Sequence, residues 1–506
     1  MSISLERGVA SRYTFGLRQE PDLSARFGAF PYQEDAVHFV ASKPYAAVFH
    51  EQGLGKTKIA IDVGLSWLRS HEVDTLLVFT KKSLVANWRR EFERHSNLRP
   101  LVLSDESNRN YYVFTTPARL VLANFEVAKK EERRLRAWIG SRRVAVFVDE
   151  SQKIKNPHAA LTQVFLRLSP LFCKRVILTG TPVANRPYDI WAQIHFLDGG
   201  RALGVDFAQF KRDTDLSRDH LSDPEALASY QTRLAAIHRQ IHSFSVRETK
   251  DGGRVSLPSK EFVRLDCTWE AGQAELYRQV REELRAVVMR DGQLLDEDED
   301  VILKRLLRLV QIASNPALVD EAYRAAPGKL PALRDLLTDI TRQGDKAIVW
   351  TSFVANSKWL ADSLRELGAL ALNGSMPIER REEVISWFLN NPEDRVLVAT
   401  PGAAKEGLTL TAANHVIFYD RTYSLDDYLQ AQDRIHRLSQ AKTCFVYNLI
   451  MQDSIDEWID ALLEQKRLAA QLTQGDIDAN TYASHASLSF IEILRGILAA
   501  TEHHTR

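Results

Sequence analysis

A chain of 506 residues exceeds what one hydrophobic core usually supports, so two or three domains are expected. Hydrophobic residues at 45% and charged residues at 26%, with no run of eighteen apolar positions and no signal-peptide pattern, argue for a cytoplasmic protein with no membrane partner. Lysine plus arginine equals aspartate plus glutamate at 66 each, so net charge gives no argument for nucleic acid, and the distant Cys173, Cys267 and Cys444 read as packed thiols rather than zinc ligands or disulfides.

Along the chain, short β-branched runs occur at 45–50, 75–80, 119–126, 144–150 and 175–182, with helical segments between them. A second set follows at 346–353, 369–375, 395–401, 415–420 and 444–450. Strands that are apolar along their length and separated by helices predict an α/β fold with two parallel sheets covered on both faces. Roughly 201–343 lacks strand signals except around 243–266, and it reads as helical protrusions. Within it, Asp296-Glu297-Asp298-Glu299-Asp300 reads as a solvated loop, because like charges resist packing. The expected division is an extension over 1–29, a first domain over 30–250 with a helical protrusion from about 200, a second over 251–475, and a helical tail over 476–506. The second domain would carry a helical insertion at about 266–343, and about thirty residues after Gly475 are too few for an added reader domain.

The first run leads into His50-Glu51-Gln52-Gly53-Leu54-Gly55-Lys56-Thr57 and then a helix-like segment. Strand, glycine loop and helix in that order suit a phosphate chain: the backbone of Gly53, Leu54 and Gly55 approaches the oxygens, Lys56 neutralises them, and Thr57 offers a hydroxyl to Mg²⁺. His50 stands where the common pattern has glycine. The run 144–148 ends in Asp149-Glu150, where Asp149 would hold Mg²⁺ and Glu150 would orient and deprotonate an attacking water. An acidic strand end facing solvent is the plainer reading, and the spacing of about ninety residues from the phosphate loop decides against it. Upstream, the amide of Gln33 in Phe30-Pro31-Tyr32-Gln33 can donate and accept at once on an adenine edge, which would select ATP.

With these motifs the sequence resembles the Swi/Snf-type double-stranded DNA translocases of helicase superfamily two, over about 30–466. The resemblance also rests on Leu178-Thr179-Gly180-Thr181-Pro182-Val183-Ala184-Asn185, similar to the family's coupling motif. Further marks are Ser243-Phe244-Ser245-Val246-Arg247-Glu248-Thr249-Lys250 with Leu257-Pro258-Ser259-Lys260, Asn315-Pro316, and Gln430-Ala431-Gln432-Asp433-Arg434-Ile435-His436-Arg437-Leu438-Ser439-Gln440. It implies two RecA-like lobes with helical protrusions, ATP with Mg²⁺, and a DNA-dependent ATPase. Gln430, Arg434 and Arg437 fall at i, i+4 and i+7, which predicts one helix face able to meet a phosphate. By resemblance Arg437 is the arginine finger, Arg434 its neighbour, and Gly407 and Gln430 join the nucleotide-binding set. Ser151 and Gln152 stand where many relatives carry alanine and histidine, and 402–410 lacks a double glycine. Both departures look closer to the branch containing annealing helicases.

The resemblance points to DNA-backbone contacts at Lys81, Lys82, Ser83 and Asn87, and at Gly374, Ser375 and Arg381. Trp88 reads as a core anchor before a stacking platform. The basic cluster Lys129, Lys130, Arg133, Arg134, Arg136, Arg142 and Arg143 reads equally as a DNA-facing patch or a solvated helix face. A helix over 454–470 would brace the lobes. The implied protein is a minimal motor of bacterial or viral type, nuclear only if its source is eukaryotic, working as a monomer on double-stranded DNA with a separate protein partner supplying specificity. A strand-separating DNA or RNA helicase and a nucleotide-gated scaffold in a defence or transcription complex are the alternatives.

Overall fold

The computed structural model describes residues 17, 19–215, 224–290, 293–294, 299–404, 410–485 and 496–497. The chain forms two compact units: one takes Met1–Val48, Gly55–Glu150 and His158–Leu178, and the other Phe49–Leu54, Ser151–Pro157 and Thr179–Arg506.

In the first unit six parallel strands lie in the order Leu101–Leu103, Leu120–Asn124, Thr75–Thr80, Val144–Asp149, Lys174–Leu178 and Tyr45–Val48. Leu76, Leu77, Val78 and Phe79 are all buried, as helices on both faces require. Register pairs Val78 with Phe147, so the carboxyl ends of the two central strands, at Thr80 and Asp149, open on the same edge. The expected strand at 119–126 stops at Asn124, whose side-chain oxygen accepts from the Val127 N–H at 2.9 Å and starts the helix Phe125–Lys130.

The second unit holds six parallel strands in the order Ala369–Leu372, Val396–Ala399, Ala347–Trp350, His415–Phe418, Cys444–Met451 and Lys260–Cys267. Ile348, Trp350, Leu397, Val416, Phe418 and Val446 form its core with Val384 and Phe388 from the helix Ile378–Asn390. Lys260–Cys267 pairs over all eight residues with Cys444–Met451. The strand signal expected around 243–266 is therefore in part an edge strand. The helices Pro224–Ile241, Ala271–Val288, Glu299–Ser314 and Lys329–Arg342 supply the expected helical content. Of the acidic run, 296–298 lies outside the described residues, whereas Glu299 and Asp300 open a helix instead of extending a loop.

The helix Ile455–Gln474 begins at Ser454, whose Oγ accepts from the Asp456 N–H at 3.1 Å, and ends at Gly475 with φ +79°. It packs along Pro224–Ile241. Among the described residues no helix is long and apolar enough to cross a membrane.

Lys329 is fully buried and donates to Asp456 at 2.5 Å and to the Tyr419 carbonyl at 2.9 Å. Lys329→Met would leave the Asp456 carboxylate enclosed without its cation, which typically costs about 3–5 kcal/mol. The denaturant midpoint should fall accordingly, and an unchanged midpoint would contradict this account.

Candidate functional site

The loop after Tyr45–Val48 turns through Gly53 at φ +86° and Gly55 at φ +76°, then enters the helix Lys56–Arg69. Gly55 is the N-cap and no side chain caps the helix, so the first-turn N–H groups and the positive dipole end suit an anion. In the first unit a Cβ on Gly55 would lie 2.2 Å from Gln33 Nε2. Gln33 is thus pressed against the loop, with its Oε1 accepting from the Phe30 N–H at 3.1 Å and its Nε2 donating to the Tyr32 hydroxyl at 3.3 Å.

Asp149 ends the strand Val144–Asp149 and its Oδ2 accepts from Trp88 Nε1 at 2.8 Å and Thr80 Oγ1 at 3.0 Å. Burial, then the charge of Glu150, pushes its carboxyl up to about 6, while the Trp88 and Thr80 hydrogen bonds and the Lys56 charge pull it down. Glu150 holds a left-handed φ of +52°, a conformation that costs a non-glycine residue on the order of 1–3 kcal/mol. Its N–H donates to Asp149 Oδ1 at 3.0 Å and its carboxylate lies 3.9 Å from Lys81 Nζ. Sequence reasoning missed Trp88 and Thr80 as the holders of Asp149. The signal available was an indole and a hydroxyl flanking the neighbouring strand's carboxyl end. The donors offered to a cation, the Asp149 carboxylate and the Thr57 hydroxyl, are hard oxygens that suit Mg²⁺. Among the described residues no cluster of three His, Cys, Asp or Glu forms a dedicated metal cage.

In the second unit, Phe49–Leu54 runs beside 246–250. Phe49 N–H donates to the Val246 carbonyl at 2.8 Å, Glu51 N–H to the Glu248 carbonyl at 3.0 Å, and Lys250 N–H to Glu51 Oε2 at 2.9 Å. Arg437 covers Gly53, since a Cβ on that glycine would stand 3.1 Å from Arg437 Cγ. Arg434 is buried.

The single helix face expected for Gln430, Arg434 and Arg437 is not formed. The helix Leu425–Gln432 stops, and Arg434 and Arg437 stand on a turn. The N–H groups of Arg434 and Ile435 turn to the i−3 carbonyls of Ala431 and Gln432 at 3.4 Å each, so the α-ladder ends at Asp433, and the carbonyls that follow take other donors. That of Asp433 accepts from Arg437 Nε, that of Arg434 from Leu410 N–H, that of Ile435 from Gln440 Nε2, that of His436 from Lys250 Nζ, and that of Arg437 from Gln440 N–H. Gln430 faces elsewhere, donating to Asp426 Oδ1 at 2.7 Å, and Asp426 also accepts from Thr181 Oγ1 at 2.6 Å. Asn185 Oδ1 accepts from the Leu425 N–H at 2.9 Å, so 181–185 is tied to this helix. The departures Ser151 and Gln152 bond Gln193 at 2.7 Å and Thr179 at 2.8 Å. Gly407 lies outside the described residues.

Lys82 is exposed and pairs with Asp105 at 2.5 Å, and Ser83 and Asn87 are half-buried. Gly374 and Ser375 lie on an exposed loop whose carbonyls at Gly374 and Met376 receive Arg381 at 2.9 Å each. In the basic cluster Lys130 donates to the Asp105 carbonyl, Arg134 pairs with Glu131, Arg143 pairs with Asp74 and Arg142 lies over the Trp138 ring. Lys129, Arg133 and Arg136 remain exposed.

Residues 32–318 match the SNF2-related domain, and 328–439 match the helicase conserved C-terminal domain. The chain belongs to the SNF2-related family. This SNF2-related chain is 28% identical over 474 residues to a putative ATP-dependent helicase/translocase of Bacillus subtilis, covering 88% of this chain and 49% of that protein. It is 26% identical over 472 residues to the ISWI chromatin-remodeling complex ATPase of Saccharomyces cerevisiae, covering 87% of this chain and 40% of that one. The chain thus spans half or less of the length of these relatives. Among solved structures, the Sulfolobus solfataricus SWI2/SNF2 ATPase core in complex with dsDNA is 26% identical, covers 95% of this chain and 98% of its own, and has a TM-score of 0.41.

Gly55→Ala would force a left-handed φ on alanine and drive its Cβ into Gln33. The strain is about 1–3 kcal/mol. Nucleotide affinity by titration should fall about tenfold or more, and wild-type affinity would refute the cradle role of Gly55.

Proposed function

We propose that the chain is an ATP hydrolase stimulated by double-stranded DNA that translocates along the duplex and remodels DNA or protein–DNA complexes. The observation that carries this is Arg437 seated on Gly53 of a phosphate-type loop, in a chain of the SNF2-related family. Residues 30–250 and 251–475 serve as its two RecA-like lobes.

In this reading Gly53, Leu54 and Gly55 offer backbone N–H groups to the phosphates, Lys56 neutralises them and Gln33 selects adenine. Thr57 and Asp149 hold Mg²⁺, which when bound supplies charge neutralisation at the phosphates. Glu150 orients and deprotonates the attacking water. Arg437 stabilises the transition-state charge with Arg434 beside it, and Gln430 and Gly407 belong to the proposed nucleotide-binding set. Gln430 acts through Asp426, which it shares with Thr181. Lys81, Lys82, Ser83 and Asn87, with Gly374, Ser375 and Arg381, grip the DNA backbone. Lys81 Nζ lies 3.9 Å from the Glu150 carboxylate, a proximity that supports coupling of DNA contact to hydrolysis in this reading. The chain acts as a monomer, and a separate protein supplies specificity.

Tracking without melting is the expected behaviour. A third strand in the major groove of a duplex should be displaced in the presence of ATP, because displacement needs passage along the backbone and no rupture of the underlying pairs. A blunt duplex should stay paired, since opening it requires about 1.4 kcal/mol of stacking per step. Lys56→Ala should abolish displacement together with ATP binding, Glu150→Gln should bind ATP and stall, and Arg437→Ala should bind ATP with kcat lowered about 10³-fold or more. Separation of the plain duplex without displacement of the third strand would overturn this function.

A further inference from the structure

Resting on the role given to Arg437, we propose that Lys250 is a positioning residue that sets the arginine-bearing turn against the phosphate loop, so that Arg437 acts only while Lys250 bridges the two. Three bonds from this one residue carry the argument. Its backbone N–H donates to Glu51 Oε2 at 2.9 Å, at the start of the loop. Its ammonium donates to Asp433 Oδ1 at 2.7 Å and to the His436 carbonyl at 2.8 Å. Asp433 and His436 flank Arg434 and precede Arg437, so one nitrogen bonds both ends of the segment 433–436.

Core packing reaches the turn from one side only, through the fully buried Ile435. Glu51, Lys250, Asp433 and His436 line a cavity of about 430 Å³, so on that side the turn meets open space and is held by polar bonds. Nor is stability a sufficient reason for the charge. Burial lowers the Lys250 pKa and Asp433 only partly offsets this, and buried ion pairs seldom outperform apolar packing. What the ammonium supplies is a fixed distance, and reacting groups misplaced by about 1 Å can lose 10²-fold in rate.

Lys260 provides the contrast. It shares Asp433 Oδ1 at 3.2 Å, but it lies on the edge strand Lys260–Cys267. Asp433 would therefore keep a cation if Lys250 were lost.

The test measures ATP turnover and nucleotide affinity for Lys250→Met, Lys260→Met, Arg437→Ala and Lys250→Met/Arg437→Ala, with thermal midpoints recorded for each. Lys250→Met should lower kcat about 10²-fold with nucleotide affinity within a few-fold, and Lys260→Met should lower it much less. The double variant should be no slower than Arg437→Ala alone, because a residue acting through Arg437 has nothing left to position. Should Lys250→Met not fold, Lys250→Gln, whose amide can still donate to one of the two acceptors, is expected to show the same split in milder form. Normal kcat in the Lys250 variant beside an impaired Arg437→Ala would overturn the positioning role alone, as would a loss that multiplies on top of Arg437→Ala. Normal turnover in Arg437→Ala would overturn the arginine assignment itself.

Discussion

Arg437 packs so closely on residue 53 that a Cβ there would stand 3.1 Å from its Cγ, and the proposed chemistry builds on that contact. A phosphate loop must present backbone N–H groups at close range, which demands glycine where φ is positive. Here the same glycine lies against the Cα, Cβ and Cγ of Arg437, from a segment nearly four hundred residues later. In the proposed function one residue thus meets two requirements, backbone approach to an anion and close seating of an arginine.

Keeping Arg437 there requires a backbone that is not helical. The helix Leu425–Gln432 carries Gln430 and Asp426 toward Thr181, and the chain must then swing away to present Arg434 and Arg437. Every carbonyl from Asp433 to Arg437 finds a donor outside the helix ladder. Those donors come from Lys250, Leu410, Gln440 and Arg437 itself. In the first unit the same logic applies to Asp149, which Trp88 and Thr80 hold in place beside the strained backbone of Glu150.

The glycine loop and the Asp149-Glu150 pair were legible in the sequence because phosphate and metal chemistry need contiguous residues at a strand end. The two parallel sheets were legible from their apolar strands. The end of the helix at Gln432 was not, because Arg434, Ile435, His436 and Arg437 are acceptable helix formers and two of the donors to this turn, Lys250 and Leu410, come from elsewhere in the sequence. The edge strand Lys260–Cys267 falls largely within the strand signal at 243–266, where exposed positions alternate with half-buried ones as on a sheet covered on one face. Arg381 was read as a DNA contact, and the structure shows it also knitting its own loop at Gly374 and Met376.

The most direct test of a duplex-tracking ATPase is its rate of ATP hydrolysis at one fixed salt concentration with no nucleic acid, single-stranded DNA, duplex DNA, forked DNA and RNA. Fixed salt matters because binding governed by phosphate contacts weakens steeply as salt rises. Duplex DNA should raise the rate severalfold above every single-stranded or RNA sample, with forked DNA following its duplex content. A rate indifferent to nucleic acid, or one highest with single strands or RNA, would contradict the account.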